Sequence, residues 1–157
     1  MKASDFAVLI PEYCSEVLDA MYFTTLLGST TLESLPAEVP GADPVLAFSL
    51  QFVGDISGRF GLRLEPAVAR SLTANFLGEQ DTDVSAVEVS EVAGELANML
   101  CGSVMSRVEG EHSFALSHPE PGVVTFSGVE DLLISLLETD CGTITVWVSI
   151  EELPCLA

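Results

Sequence analysis

The chain has 157 residues, of which 24 are acidic and only 5 basic, for a formal charge of -19. Binding to nucleic acid rests on Lys and Arg neutralising phosphates, so that function class is excluded, and an anionic membrane surface is disfavoured for the same reason. Hydrophobic residues make up 48%, which excludes general disorder and supplies a core for one domain or for two half-size units sharing it.

Cys14, Cys101, Cys141 and Cys155 are widely separated and form no C-x-x-C pair, and His112 and His118 lie close to none of them in sequence. No metal site is expected from that spacing. Cys101 sits in an apolar stretch and reads as a buried free thiol. The apolar run Phe6 to Ile10 is short and ends at Pro11 and Glu12, unlike a secretory signal. No apolar run reaches the roughly 18 residues of a membrane span. A reducing cytoplasm is the expected location.

The first predicted element is a helix in "SEVLDAMYFTTLLG". Val17, Met21, Tyr22 and Thr25 fall near one face, with Leu18 and Leu26 beside it and Gly28 as its stop. It begins either before Pro11 or at it. A loop rich in Pro, Ser and Gly follows, then a hairpin pairing Val45–Val53 with Arg59–Leu64 around "GDISG". Pro66 opens a second helix that stops at Gly78. After the acidic loop "EQDTDV", Ser85 and Glu88 form an S-x-x-E capping box for a long third helix, about Ala86 to Val108, ended by Gly110. The remainder reads as strands: around Phe114 to Ser117, Val123 to Phe126, and a final hairpin of Leu132–Leu137 with Thr143–Ile150 turning at "TDCG". The order suggests two copies of a helix followed by a hairpin. Laying "SEVLDAM" over "GELANML" matches Glu16 to Glu95 and Asp19 to Asn98.

Projected at about 100° per residue, the third helix has an apolar face of Val89, Val92, Ala93, Leu96, Met99, Leu100, Val104 and Val108. Glu88, Glu91, Glu95, Asn98 and Gly102 fall on the opposite side at spacings of three and four. Glu95 and Asn98 are therefore outward neighbours. The stripe carries no Lys or Arg. Gly94 and Gly102 each cost the helix roughly 1 kcal/mol relative to alanine, which suggests a surface that must approach its backbone, although Gly94 equally suits packing on a sheet. An E-x-x-N spacing taken alone describes an ordinary solvated face.

The wording around that pair is more specific. "EVAGELANMLCGSVMSRV" resembles the signature helix of the CheC/CheX phosphatases of chemotaxis: Asp or Ser, three residues, Glu, two residues, Asn, then 22 residues and Pro. Glu95 and Asn98 fill the central positions, and Pro121 lies at the matching distance. "VLDAMYF" and "GDISGRFGL" also look like CheX segments, so the resemblance extends over most of the chain. Glu91 departs from the motif, standing where Asp or Ser is usual. One complete motif resembles CheX more than CheC, whose members typically carry two. Glu16 and Asp19 look like a degenerate second copy, since Asp19 has no amide donor.

The resemblance implies an α+β, CheC-like fold over a single domain, residues 1–157, with two pseudo-repeated helix/β-hairpin halves sharing one sheet and helices on one face. It implies a phosphatase acting on the aspartyl phosphate of a CheY-like response regulator. Asn98 would orient the attacking water, and Glu95 would pair with the regulator's active-site lysine. Glu91, Gly94, Gly102 and Pro121 would touch the partner. No cofactor is expected on this chain, because the magnesium belongs to the partner. The alternatives are a non-catalytic module of the same fold that binds the regulator, a purely structural protein, and a metal hydrolase built on Glu88, Glu91 and Glu95. A homodimer is expected through the sheet or its strands, with Ile144, Val146, Trp147, Val148 and Ile150 available for the contact unless they pack in the core.

Overall fold

A computed structural model describes residues 1–37, 40–109, 113–128 and 130–151; Gly110, His112 and Cys155 lie outside them. Helix α1 spans Phe6–Tyr22 and buries Phe6, Ile10, Cys14, Leu18 and Tyr22, one residue in four along a single line. That line begins before Pro11, which lies inside the helix. An internal proline costs about 3 kcal/mol. Full burial of Phe6 and Ile10 contributes roughly 1.5–3 kcal/mol each, which offsets it.

The expected end of α1 is corrected. Tyr22 closes it, and Phe23 turns left-handed. Thr24 then fixes the exit, its hydroxyl donating to Tyr22 O at 2.8 Å and its N–H to Leu18 O at 3.0 Å. Gly28 is not a helix stop: it lies within strand β1, Leu26–Leu32. Met21, placed on the apolar face by sequence, is 43% exposed.

Strands β2 (Leu46–Gly54) and β3 (Ser57–Leu64) form the first hairpin, and α2 (Pro66–Leu77) follows it and stops at Gly78 with φ 69°. Helix α3, Ala86–Glu109, is opened by the capping box. The Ser85 N–H donates to Glu88 Oε1 at 2.9 Å, and the Glu88 N–H donates to Ser85 Oγ at 3.1 Å. Short strands β4 (Phe114–Leu116) and β5 (Glu120–Pro121) precede the long hairpin β6 (Asp131–Thr139) and β7 (Gly142–Glu151).

The sheet is antiparallel, ordered β1-β6-β7-β3-β2-β4, with β5 also paired to β2. Its centre is the pairing of β3 with β7, and the two halves exchange their outer strands. Strand β1, which follows α1, pairs with β6 of the second half, whereas β4, which follows α3, pairs with β2 of the first. All three helices cover one face. Leu50, Phe52, Phe60, Leu62, Ile144, Val146 and Val148 project into the core beneath them.

The opposite face is covered too. Segment 123–127 is not a strand, as its composition suggested, but a covering segment whose Phe126 packs edge-on against Trp147, centroids 4.9 Å apart at 81°. Trp147 lies across its partner Gly61, where an added Cβ would overlap the indole. The expected use of the last strand as a dimer contact is therefore corrected. Strand β7 is central, Ile144, Val146 and Val148 are core, Ile150 packs against that core, and Trp147 is 4% exposed.

Candidate functional site

Helix α3 crosses the sheet with its buried line formed by Val89, Val92, Ala93, Leu96, Leu100 and Val104. Because that line faces inward along the whole rod, Glu91, Glu95 and Asn98 on the other side are exposed. The rod is unbroken between them. Glu95 and Asn98, three residues apart, project one turn from each other, and neither side chain makes a hydrogen bond within the described chain. Among the described residues the one ion pair is Arg59–Glu151, at 3.9 Å on the sheet. The negative charge of the stripe therefore stays available to a partner.

The two glycines of α3 differ. Gly94 is buried, and a Cβ there would lie 3.3 Å from Phe48 Cε1, so its smallness already has a use inside the molecule. Gly102 is half-buried with nothing within 4 Å of an added Cβ. It leaves an open notch one turn beyond Asn98, where a second surface can reach the helix backbone.

Two walls flank the stripe. On one side, Pro121 in β5 pairs opposite Phe48 and helps line a shallow cavity of about 190 Å³ with Val45, Ser90 and Val123. Pro121 thus stands near the start of the stripe, since Ser90 adjoins Glu91. On the other side lies α1, antiparallel to α3. The Ser103 hydroxyl donates to Tyr13 O at 3.5 Å, and further along, the Tyr22 hydroxyl donates to Met99 Sδ at 3.6 Å. Tyr22 also stacks on Phe76 of α2, centroids 5.0 Å apart. Burial, and after it the Glu95 charge, pushes the Tyr22 hydroxyl above the usual phenol range and keeps it protonated. Tyr22 is the support that sequence reasoning missed. The available signal was its place at the end of the four-residue repeat Phe6, Ile10, Cys14, Leu18, Tyr22.

Glu16 and Asp19 are exposed on α1, and Glu88 is half-buried in its capping box. No three His, Cys, Asp or Glu side chains among the described residues gather closely enough to hold a metal ion. No described helix is long and apolar enough to cross a membrane.

Solved structures place this architecture. The chemotaxis protein CheX from Desulfovibrio desulfuricans is 15% identical, with a TM-score of 0.73 over 94% of this chain and 99% of its own. CheX from Vibrio vulnificus is 18% identical, with a TM-score of 0.72 over 94% and 97%. CheX in a CheX–CheY–BeF3–Mg2+ complex from Borrelia burgdorferi is 16% identical, with a TM-score of 0.68 over 94% and 99%. At these identities the likeness is one of fold. No curated protein matches the chain. The profile of the family described as "Chemotaxis phosphatase CheX" matches residues 47–131, a stretch that holds α3, Glu91, Glu95, Asn98, Gly102 and Pro121. With more than half of its length matched, the chain belongs to the CheX chemotaxis phosphatase family.

Proposed function

We propose that this chain hydrolyses the aspartyl phosphate of a CheY-like response regulator, with Asn98 orienting the attacking water and Glu95 docking on the regulator's active-site lysine. The observation that carries the reading is the exposed Glu95–Asn98 couple on an unbroken rod, without a partner among the described residues. In the Borrelia relative the partner is CheY, with BeF3 and Mg2+. Magnesium belongs to the regulator here as well, and this chain contributes two side chains to a site the partner largely provides.

That division of labour suits phosphoryl transfer, where catalysis consists mostly of positioning and electrostatics. A carboxamide offers an acceptor and a donor, so Asn98 holds a water in line without changing its own charge. A carboxylate at that position would add negative charge beside the phosphoryl oxygens. Glu95 gains a charge-assisted contact with the lysine and thereby fixes the rod in the cleft. Gly102 leaves room for the cleft's rim, Glu91 and Pro121 extend the footprint, and Gly94 acts through the Phe48 packing that seats α3.

A homodimer would join at β1, which among the described residues pairs with β6 alone and whose Leu27 is 68% exposed. The second reading is a module that binds the phosphorylated regulator without hydrolysing it, favoured by Glu91 in place of Asp or Ser. Phosphate release from the phosphorylated regulator, with and without this chain, decides between them. Acceleration supports the phosphatase; binding with an unchanged release rate supports the module.

A further inference from the structure

Phe23 is the only non-glycine with a left-handed backbone among the described residues, at φ 49° and ψ 39°. Its N–H and that of Thr24 both reach Leu18 O, which closes α1. Helices favour glycine at such a terminal position because a Cβ is crowded there. Helix α2 follows that preference with Gly78. Helix α1 instead carries a bulky aromatic that is 74% exposed. The residue thus combines backbone strain with an apolar ring left in water, and both lower stability.

The placement is specific. Tyr22, the preceding residue, reaches Met99, so the end of α1 stands level with the turn of α3 that carries Glu95 and Asn98. We propose that Phe23 is an apolar anchor that seats the phosphorylated response regulator while Glu95 and Asn98 enter its cleft. This rests on the function proposed above. An interface burying about 800 Å² per partner is wide enough to extend from α3 across a neighbouring helix some 8–10 Å away. Glu95 supplies one charged contact that orients the rod, and a desolvated aromatic beside it adds the apolar burial on which most interface binding energy rests.

Phe23→Gly separates the two consequences because they have opposite signs. The variant melts at a higher temperature than wild type, since glycine relieves the strain, and its KM for the phosphorylated regulator rises about tenfold with kcat unchanged. Phe23→Leu, which stays apolar, keeps most of the affinity. An unchanged KM in Phe23→Gly overturns the anchor, and so does a lower melting temperature. Loss of self-association without a change in KM assigns the ring to a second copy of this chain and overturns it too. Asn98→Ala measured alongside keeps the two claims distinct: wild-type phosphate release from that variant sinks the parent reading, whereas a slow Asn98→Ala beside an unaffected Phe23→Gly sinks only the anchor.

Discussion

Replacing Asn98 with alanine removes one carboxamide from an exposed helix face where it makes no hydrogen bond within the described chain. Nothing in the fold depends on it, and alanine is the better helix former by about 0.5 kcal/mol, so the variant melts at the wild-type temperature or about 1–2 °C above it. The catalytic effect runs the other way. Loss of the group that fixes the water lowers phosphate release by about 10²-fold, roughly 2.7 kcal/mol in the barrier. Docking rests on Glu95 and the surrounding surface, so the complex with the phosphorylated regulator still forms. Asn98→Asp keeps the shape, loses the donor and adds a charge, and is therefore at least as slow as the alanine variant. The assay is single-turnover phosphate release from a phosphorylated regulator, with binding followed separately on a beryllofluoride-treated regulator. Release at the wild-type rate from Asn98→Ala, with a normal melting curve, refutes the water-positioning argument.

Glu95→Ala weakens the complex by about tenfold or more while leaving the melting temperature within about 1 °C, because the side chain is exposed and has no partner among the described residues; a titration against the beryllofluoride-treated regulator reads this. Gly102→Ala gains about 0.5–1 kcal/mol of stability, since nothing lies within 4 Å of the new Cβ, yet it raises KM because the regulator's rim closes on that notch; thermal melts and steady-state kinetics on one preparation show both. Glu130 accepts the Ser127 N–H at 2.7 Å, the Ser127 hydroxyl at 2.8 Å and the Gly128 N–H at 2.9 Å, which hold its carboxyl down to about 2 from 4.5. Its folded pKa lies below the unfolded one, so its stabilisation is present above about pH 4.5 and is lost as pH falls towards about 2. The gap in melting temperature between wild type and Glu130→Gln narrows across that window.

The long helix was legible because its signals are local. Ser85 and Glu88 cap it, its apolar residues repeat on one face, and the Glu95–Asn98 couple follows from the same period. The two hairpins and the Gly78 stop were legible for similar reasons. Strand β1 was not. "LLGSTTL" has no polar alternation, and its partner lies more than a hundred residues on, Leu26 opposite Thr139. The start of α1 was obscured by Pro11, whose local cost is outweighed by tertiary burial of Phe6 and Ile10. Segment 123–127 has strand composition because it must be apolar to cover Trp147, and composition does not distinguish covering a sheet from joining one. At the site, Gly94 and Gly102 look alike in sequence and are told apart only by Phe48 beside one of them. Phe23 gave no signal, because nothing in an aromatic side chain announces a left-handed backbone.

The pseudo-symmetry of the halves raises a sharper question, namely whether α1 is one substitution away from a second site. The overlay that matches Glu16 to Glu95 and Asp19 to Asn98 also matches Phe23 to Gly102. Helix α3 runs straight through that position and leaves its surroundings open, whereas α1 has already ended there, with a strained aromatic filling the equivalent approach. Asp19→Asn supplies the missing carboxamide without supplying either the continuing rod or the notch. In the Asn98→Ala background, Asp19→Asn therefore leaves phosphate release as slow as in Asn98→Ala alone, because a water-orienting amide is useful only where the partner's cleft can close over it. Recovery of even a tenth of the wild-type rate by that double variant would show that the amide suffices and that the open backbone at Gly102 is incidental.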